Sequence, residues 1–181
     1  MTDGGYGFSP VTAADLPRLR RWLEKPHVAR WWPDAGAGVA EIARGLEEPG
    51  FAAYLVWHGG RPFAYLQVYD PFAEAGHPYR DHPAGSRGLD TIIGVSAMRG
   101  RGHGPAMLSV MAERLFAAGA PRLLIDPDPA NERAIRAYEK AGFRHLGVRS
   151  VVFADGQDAV AVALMARDRN ERRDDDRLLS P

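Results

Sequence analysis

The chain has 181 residues, 45% of which are apolar, and its 23 basic and 23 acidic residues leave no formal net charge. This length suits one domain with a complete core, the neutral balance argues against nucleic acid as a partner, and no apolar run is long enough to span a membrane. Because cysteine is absent, the six histidines lack metal-ligand spacing and the N-terminal residues do not resemble a signal peptide, we expect a metal-free cytoplasmic protein.

The first half of the chain alternates between strand-like and helix-like patterns. Thr12 and Asp15 have the spacing of a capping box, and Gly59-Gly60 is the two-residue signal of a β-hairpin. Such a hairpin needs a strand on each side. In chain order we predict a strand over 6–11, a helix ending near Pro26, a second helical segment over 39–46, strands over 51–58 and 61–69, and a long loop over 70–87 that we expect near a substrate.

The second half continues the alternation and ends in charged sequence. In order we predict a strand over 88–96, a helix over 104–118, a strand over 122–125, a helix over 131–141 and strands over 143–153 and 159–166 joined by the turn Asp155-Gly156. Residues 1–5 are expected to be flexible, residues 6–167 to form one domain, and the charged residues 168–181, with the run beginning at Arg167, to be a disordered tail.

A glycine-rich segment lies between the strand that ends at Val95 and the helix that Pro105 opens. Glycines at alternate positions let the backbone approach a ligand, and the free N–H groups at the start of a helix favour an anion. The pattern also fits a plain glycine-rich turn, but it lacks the Gly-Lys-Ser/Thr of a Walker loop and occurs too late for a dinucleotide fold. We assign to a phosphate cradle Val95, Arg99, Gly100, Arg101, Gly102, His103, Gly104 and Pro105.

Two blocks of the second half resemble the GCN5-related N-acetyltransferase (GNAT) superfamily. Arg99-x-x-Gly102-x-Gly104 resembles its acetyl-CoA signature, and residues 125–143 resemble its next strand and helix. Within the superfamily the chain is most similar to aminoglycoside 6'-N-acetyltransferases, through residues 30–32, 87–90, 126–127 and 131–143. The resemblance covers roughly residues 8–166. It implies an α/β (α+β) fold with a mixed, mostly antiparallel sheet of about seven strands and about four helices, and acetyl-CoA as cosubstrate without a metal.

Asp90 is the candidate general base. Strand alternation puts it on one face with Ile92 and Gly94, and apolar neighbours would raise its pKa and suit it to accept a proton. A solvated carboxylate at a strand start is the alternative. The resemblance implies that Asp90 holds and deprotonates the 6'-amine.

Further site residues follow from position and resemblance. Asp126 closes a short strand, where ligands of α/β sheets bind, although it also fits a turn before Pro127. The resemblance implies that Asp126 binds substrate ammonium groups and that Tyr138 protonates the CoA thiolate, unless Tyr138 only packs on the sheet. Asn131 suits a helix cap and a CoA ligand. Of Trp31 and Trp32, at least one should be core and the other a wall for a sugar ring.

The leading functional prediction is acetyl transfer from acetyl-CoA to the 6'-amine of an aminoglycoside by direct attack in a ternary complex. A negative basin for such a polycation would combine Asp90 and Asp126 with Glu74 and Asp81. The alternative is a solvated loop of mixed charge, because the same loop contains Arg80 and Arg87. The alternatives are an acyltransferase acting on a hydroxylysine-like amine of siderophore synthesis, whose relatives tend to carry His where Asp90 stands, and a CoA-binding module without turnover. An oxyanion contact is expected from a backbone N–H near residues 95–97. The partner is a small-molecule amine, and the protein is expected to be a monomer or a homodimer.

Overall fold

The computed structural model describes residues 5–152 and 158–169. Within these ranges it contains seven strands and five α-helices, with 3-10 turns over Ala13–Asp15 and Ser96–Met98. The strands are β1 (Tyr6–Pro10), β2 (Phe51–His58), β3 (Arg61–Tyr69), β4 (Arg87–Ile93), β5 (Arg122–Ile125), β6 (Arg144–Val151) and β7 (Val160–Asp168). The helices are α1 (Leu16–Leu23), α2 (Pro26–Ala29), α3 (Ala35–Gly45), α4 (His103–Ala117) and α5 (Glu132–Lys140).

The strands described form one mixed sheet in the order β1-β2-β3-β4-β5-β7-β6. All neighbouring pairs among them are antiparallel except β4 and β5. That parallel pair is short, because it joins only Arg87 to Leu123 and Gly88 to Leu124. Beyond these two positions the strands separate, and a cleft opens between their carboxyl ends.

The two faces of the sheet pack against different helices. Alternate residues of a strand point to opposite faces, so Leu55 and Tyr65 join the side chains of α1 and α3, whereas Val56 and Leu66 join those of α4. All four of these side chains are at most 1% exposed. The sheet therefore lies between these two hydrophobic clusters, and residues of both, such as Met107 and Val28, line the cleft between β4 and β5.

Several predicted elements are confirmed. The hairpin strands and β5 have the predicted bounds, and Gly59 and Gly60 adopt φ of +56° and +73°, which glycine tolerates and other residues avoid. The seven-stranded mixed sheet is also confirmed. The helix count exceeds the predicted four by the single-turn helix α2, which occupies part of the segment before Trp31.

The predicted strand over 88–96 is too long. β4 ends at Ile93, and the chain turns into the 3-10 segment at Ser96. The turn occurs where Trp22 of α1 packs on Gly94 so closely that a Cβ there would overlap the indole ring. A residue with a side chain would therefore not fit at position 94 in a regular continuation of β4.

Two other boundaries differ from the predictions. Helix α3 begins at Ala35 rather than near residue 39, because the Asp34 carboxylate accepts the N–H of Ala37 at 2.9 Å and caps the helix. Strand β7 continues through Arg167 to Asp168, whose carboxylate forms ion pairs with Arg122 and Arg144, so the ordered chain extends into the predicted tail.

Some predictions concern residues that the structure does not describe. The turn Asp155-Gly156, residues 1–4 and residues 170–181 lie outside the described residues. Among the helices described, none is long and apolar enough to cross a membrane.

Candidate active site

The cleft between β4 and β5 has a volume of about 900 Å³ and brings together most of the predicted site residues. One part, which we call the carboxylate end, contains Trp31, Trp32, Asp90 and Asp126. The other part, which we call the glycine-loop end, contains Arg99, Gly100, Gly102, Gly104, Pro105, Asn131 and Arg133. Tyr138 lines the same cleft from α5.

Asp90 lies in β4 and is only partly exposed to the cleft. Its Oδ2 accepts a hydrogen bond of 2.8 Å from Nε2 of Gln67, the residue directly opposite on β3. Burial first, and then the negative charge of Asp126, raise the pKa of Asp90 to about 8, although the bond from Gln67 acts in the opposite direction. A carboxyl group with this pKa can hold or accept a proton near neutral pH.

Asp126 directly follows β5 and faces the same space. The hydroxyl of Tyr79 donates to its Oδ2 at 2.5 Å. Burial raises the pKa of Asp126 to about 6, against the Tyr79 hydrogen bond, which lowers it. Asp126 is thus the more readily ionised of the two carboxyl groups, and Asp90 keeps its proton to higher pH.

Tyr79 comes from the long loop between β3 and β4, which was predicted to lie near the substrate. The side chain is fully buried against Leu124 and Val162 and so helps to anchor this loop to the sheet. Glu74 and Asp81 of the same loop do not line the cleft, and Asp81 pairs with Arg149 at 2.8 Å. The predicted negative basin is therefore limited to Asp90 and Asp126.

Tyr138 lies on α5, with its ring against Phe143 at a centroid distance of 6.4 Å. The predicted alternatives for Tyr138 are both partly realised, because the ring packs on the core while the residue also lines the cleft. Burial, and then the charges of Asp90 and Asp126, hold its pKa above the usual range, so the phenol remains a proton donor.

Two residues of the glycine loop adopt a backbone conformation that favours glycine. Gly100 and Gly102 have φ of +74° and +84°, a left-handed region that penalises side chains, and Gly102 is the residue before α4. Gly104 and Pro105 are in the first turn, whose N–H groups lack helical partners. The start of a 15-residue helix therefore meets the cleft, which is a favourable position for a phosphate.

Two arginines flank this loop without acidic partners. Within residues 5–152 and 158–169, neither Arg99 nor Arg133 has an ion pair, and a Cβ on Gly100 would lie 3.2 Å from the Arg133 guanidinium. Burial and then the like charge of Arg133 lower the pKa of Arg99. Uncompensated like charges in close proximity favour a polyanionic ligand.

Asn131 caps α5, as predicted. Its Oδ1 accepts the N–H of Ala134 at 3.2 Å, and the residue also lines the cleft beside the glycine loop. Its amide nitrogen is not needed for the cap and is available to a ligand.

Trp31 and Trp32 form the wall on the α2 side. Trp32 packs with α3 and meets the ring of Tyr65 edge-on at 6.4 Å, while the guanidinium of Arg30 lies 4.7 Å from the Trp31 ring centre. His27 of α2 braces this wall, because its Nε2 is 3.0 Å from the carbonyl oxygen of Ile93. Both tryptophans still line the cleft.

Three predicted cradle residues do not line the cleft with their side chains: Val95, Arg101 and His103. His103 instead bonds to the hydroxyl of Tyr6 at 2.8 Å, on the opposite side of the loop. The N–H of Val95 donates to the carbonyl oxygen of Phe63 at 3.1 Å, so it is not available as the predicted oxyanion donor. Of the predicted oxyanion donors at residues 95–97, the N–H groups of Ser96 and Ala97 remain as candidates.

Sequence reasoning missed Gln67, Tyr79, His27 and Arg133. Gln67 is directly opposite Asp90 on β3, so pairing of the predicted strand over 61–69 with the next predicted strand could have suggested it. Arg133 follows Asn131 by two residues in the block already singled out. No local signal marks Tyr79, because it reaches Asp126 across 47 residues of chain.

The cleft fits acetyl-CoA on its own geometry. Phosphate groups match the glycine loop, the start of α4 and the two unpaired arginines, and the volume accommodates a ligand well above the lower range for small-molecule sites.

Comparison with known proteins gives the same result. The model of the acetyltransferase (GNAT) domain family matches residues 11–151. An aminoglycoside N(6')-acetyltransferase type 1 of Klebsiella pneumoniae is 30% identical over 155 residues, covering 81% of this chain and 76% of the relative. The lysine N-acyltransferase MbtK of Mycobacterium tuberculosis is 28% identical over 149 residues, covering 78% of this chain and 70% of the relative.

A solved structure extends this likeness to the fold. The crystal structure of the aminoglycoside acetyltransferase AAC(6')-Ib in complex with coenzyme A and kanamycin has a TM-score of 0.77 and 29% identity, covering 91% of this chain and 95% of that one. Family, fold and cleft chemistry agree. The chain belongs to the GNAT acetyltransferase family and is an acetyl-CoA-dependent N-acetyltransferase.

Proposed function

We propose that this N-acetyltransferase acetylates the 6'-amine of an aminoglycoside. The observation that carries the proposal is the pair Asp90 and Asp126 at the carboxylate end, where two acidic groups face a cleft beside an aromatic wall. An aminoglycoside is a polyamine of sugar rings, so ammonium groups match the acids and a ring face matches Trp31. Two of the relatives described above act on this class of compound.

Asp90 prepares the amine in this proposal. An amine that arrives as ammonium favours the ionised form of Asp90, and a base with a pKa near the working pH accepts a proton efficiently. Asp126, with its lower pKa, remains charged and holds the substrate in register. The neutral amine then attacks the acetyl carbonyl carbon.

Tyr138 completes the transfer. Asp90 already holds the first proton of the ammonium group. As the N–C bond forms and the C–S bond breaks, the departing thiolate takes the phenolic proton of Tyr138, and the second proton of the nitrogen leaves through water in the cleft and restores the phenol. The carbonyl oxygen would be stabilised by an N–H of residues 96–97. No acetyl-enzyme is required, because the chain contains no cysteine and the amine reaches the thioester directly.

A lysine-type amine is the second candidate. Arg30 lines the cleft over Trp31, and within the described part of the chain it has no acidic partner. A guanidinium in this position would suit a substrate carboxylate. MbtK is a lysine N-acyltransferase, so the relatives also contain this chemistry.

A substrate panel separates the two candidates. Purified protein is incubated with isotope-labelled acetyl-CoA and kanamycin-type aminoglycosides, polyamines, lysine or hydroxylysine, and the products are identified by mass spectrometry. We expect a single acetylated aminoglycoside. Transfer to lysine or hydroxylysine alone would replace the first candidate by the second, and transfer to none of these amines would contradict both.

A further inference from the structure

Gln67 is a buried polar residue of β3 that has no role in the function proposed so far. It is 5% exposed, and both ends of its amide are hydrogen-bonded. The hydroxyl of Tyr65 donates to Oε1 at 2.6 Å, and Nε2 donates to Asp90 Oδ2 at 2.8 Å. The result is a chain of two hydrogen bonds from the core to Asp90.

Tyr65 fixes which way the Gln67 amide points. Burial holds the pKa of Tyr65 above its usual range, so its hydroxyl keeps a proton to donate. With this hydroxyl donating a hydrogen bond to the amide oxygen, the amide NH₂ faces Asp90. Tyr65 is fully buried and packs edge-on against Trp32, so its position is itself fixed.

These two hydrogen bonds leave the two carboxylate oxygens of Asp90 in different situations. Oδ2 is occupied by Gln67, whereas Oδ1 has no hydrogen-bond partner among the described residues and is not sealed from solvent. Asp90 also lines the cleft. The oxygen left over is thus the one that an incoming amine can reach.

We infer that Gln67 is a positioning residue of the transferase, which holds Asp90 through Oδ2 and reserves Oδ1 for the amine. This inference rests on the proposed role of Asp90. It goes beyond that role because it assigns a function to a residue that does not touch the substrate. Tyr65 serves as its anchor.

Gln67 also offsets an unfavourable electrostatic setting. The titratable groups that face Asp90 are acidic or phenolic, from every element around it: Asp126 after β5, Glu41 on α3, Tyr65 and Tyr69 on β3, Tyr79 in the loop and Tyr138 on α5. Burial and these charges favour protonated Asp90, and the Gln67 hydrogen bond favours the carboxylate. Loss of Gln67 should raise the pKa of Asp90 further.

If Gln67 only stabilised the core, its replacement would have a different effect. Removal of a satisfied core amide lowers the free energy of unfolding wherever it lies, but it does not change the ionisation of a catalytic carboxylate. The pH dependence of activity therefore distinguishes positioning from packing.

The experiment compares Gln67→Met, which retains volume without donors, with Tyr65→Phe, which leaves Gln67 present but unanchored. For Gln67→Met we expect kcat/KM for the amine to fall roughly 30-fold. The acid limb of the pH profile of kcat/KM should move to higher pH by about one unit. Acetyl-CoA affinity should stay within about 2-fold of the original. Tyr65→Phe should give smaller changes in the same direction.

Ser9→Ala is the matched control. It removes the hydroxyl that accepts the Trp57 indole N–H at 2.8 Å between β1 and β2, far along the sheet from Asp90. We expect a loss of stability without a shift of the pH profile. The inference would be overturned if neither Gln67→Met nor Tyr65→Phe shifted the acid limb and both kept kcat/KM for the amine within about 2-fold of the original.

A second readout does not depend on turnover. In protein labelled with ¹³C at the aspartate carboxyl groups, NMR titration gives the pKa of Asp90 directly, assigned by Asp90→Asn. A higher pKa in Gln67→Met supports the inference even if no aminoglycoside is acetylated, in which case only the proposed substrate has failed. An unchanged pKa refutes it even if the enzyme is active.

Discussion

The glycine-loop end and the carboxylate end of the cleft are built in different ways. The first is built around backbone, namely two glycines at positive φ and the start of α4, with Arg99, Asn131 and Arg133 beside them. The second is made from side chains of separate elements, in which Asp90 and Asp126 accept hydrogen bonds from Gln67 and Tyr79. Backbone geometry binds a feature common to every acyl-CoA, whereas assembled side chains can vary with the amine.

The largest effect is expected from a substitution at the carboxylate end alone. Asp90→Asn keeps an acceptor for Gln67 but removes the base, so we expect kcat/KM for the amine to fall about 10³-fold, within the range for loss of a general base. Acetyl-CoA affinity, measured by calorimetry, should stay within about 2-fold. Turnover close to the original would remove Asp90 from the proposed mechanism.

The next effect breaks the glycine-loop end. Gly102→Ala places a side chain at φ +84°, and Gly59→Ala in the β2–β3 turn does so at φ +56°; neither Cβ would meet a neighbour. Both variants should lose about 1 kcal/mol of unfolding free energy, but only Gly102→Ala should weaken acetyl-CoA binding, by about 10-fold. Equal acetyl-CoA affinity in the two variants would contradict the cradle.

The contrast between the two ends also explains what sequence can predict. The loop and its helix are contiguous, so glycine spacing and helix signals predict Gly100, Gly102 and Asn131 as they are found. Asp90 and Asp126 were predicted as well, with the help of family resemblance. Gln67 and Tyr79 could not be, because their roles depend on tertiary contacts that no local pattern encodes.

The same limit applies to the fold. Alternation and the Gly59-Gly60 turn predict the bounds of β2 and β3 to the residue, but not the register shift between Val56 and Trp57 in this pair. The end of β4 was predicted wrongly because it depends on Trp22 packing over Gly94, a contact from another element. The end of β7 depends similarly on the ion pairs of Asp168.

A smaller effect is expected where the long loop supports the carboxylate end. Tyr79→Phe removes the hydrogen bond to Asp126 while it keeps the buried ring, so the pKa of Asp126 should rise. We expect kcat/KM for the amine to fall roughly 5-fold near pH 6 and less at pH 8, where Asp126 is ionised in both proteins. A uniform loss at all pH values would argue against an electrostatic role.

The smallest effect concerns stability. Burial raises the pKa of Asp90 to about 8, so the folded state holds a proton that the unfolded chain releases near pH 4. The free energy of unfolding should therefore fall as the pH rises from 4 to 8. Asp90→Asn removes this term and should be about 1 to 2 kcal/mol more stable than the original protein at pH 8 in urea unfolding, since water in the cleft screens part of the effect. No gain at pH 8 would contradict the raised pKa.

A crystal structure with coenzyme A and tobramycin tests the division of the cleft most directly. We predict that the pyrophosphate lies against the N–H groups of residues 100–104 and that the 6'-amine lies within hydrogen-bonding distance of Asp90 Oδ1, with Gln67 still on Oδ2. An aminoglycoside bound with its 6'-amine away from Asp90, or coenzyme A bound away from the glycine loop, would contradict it.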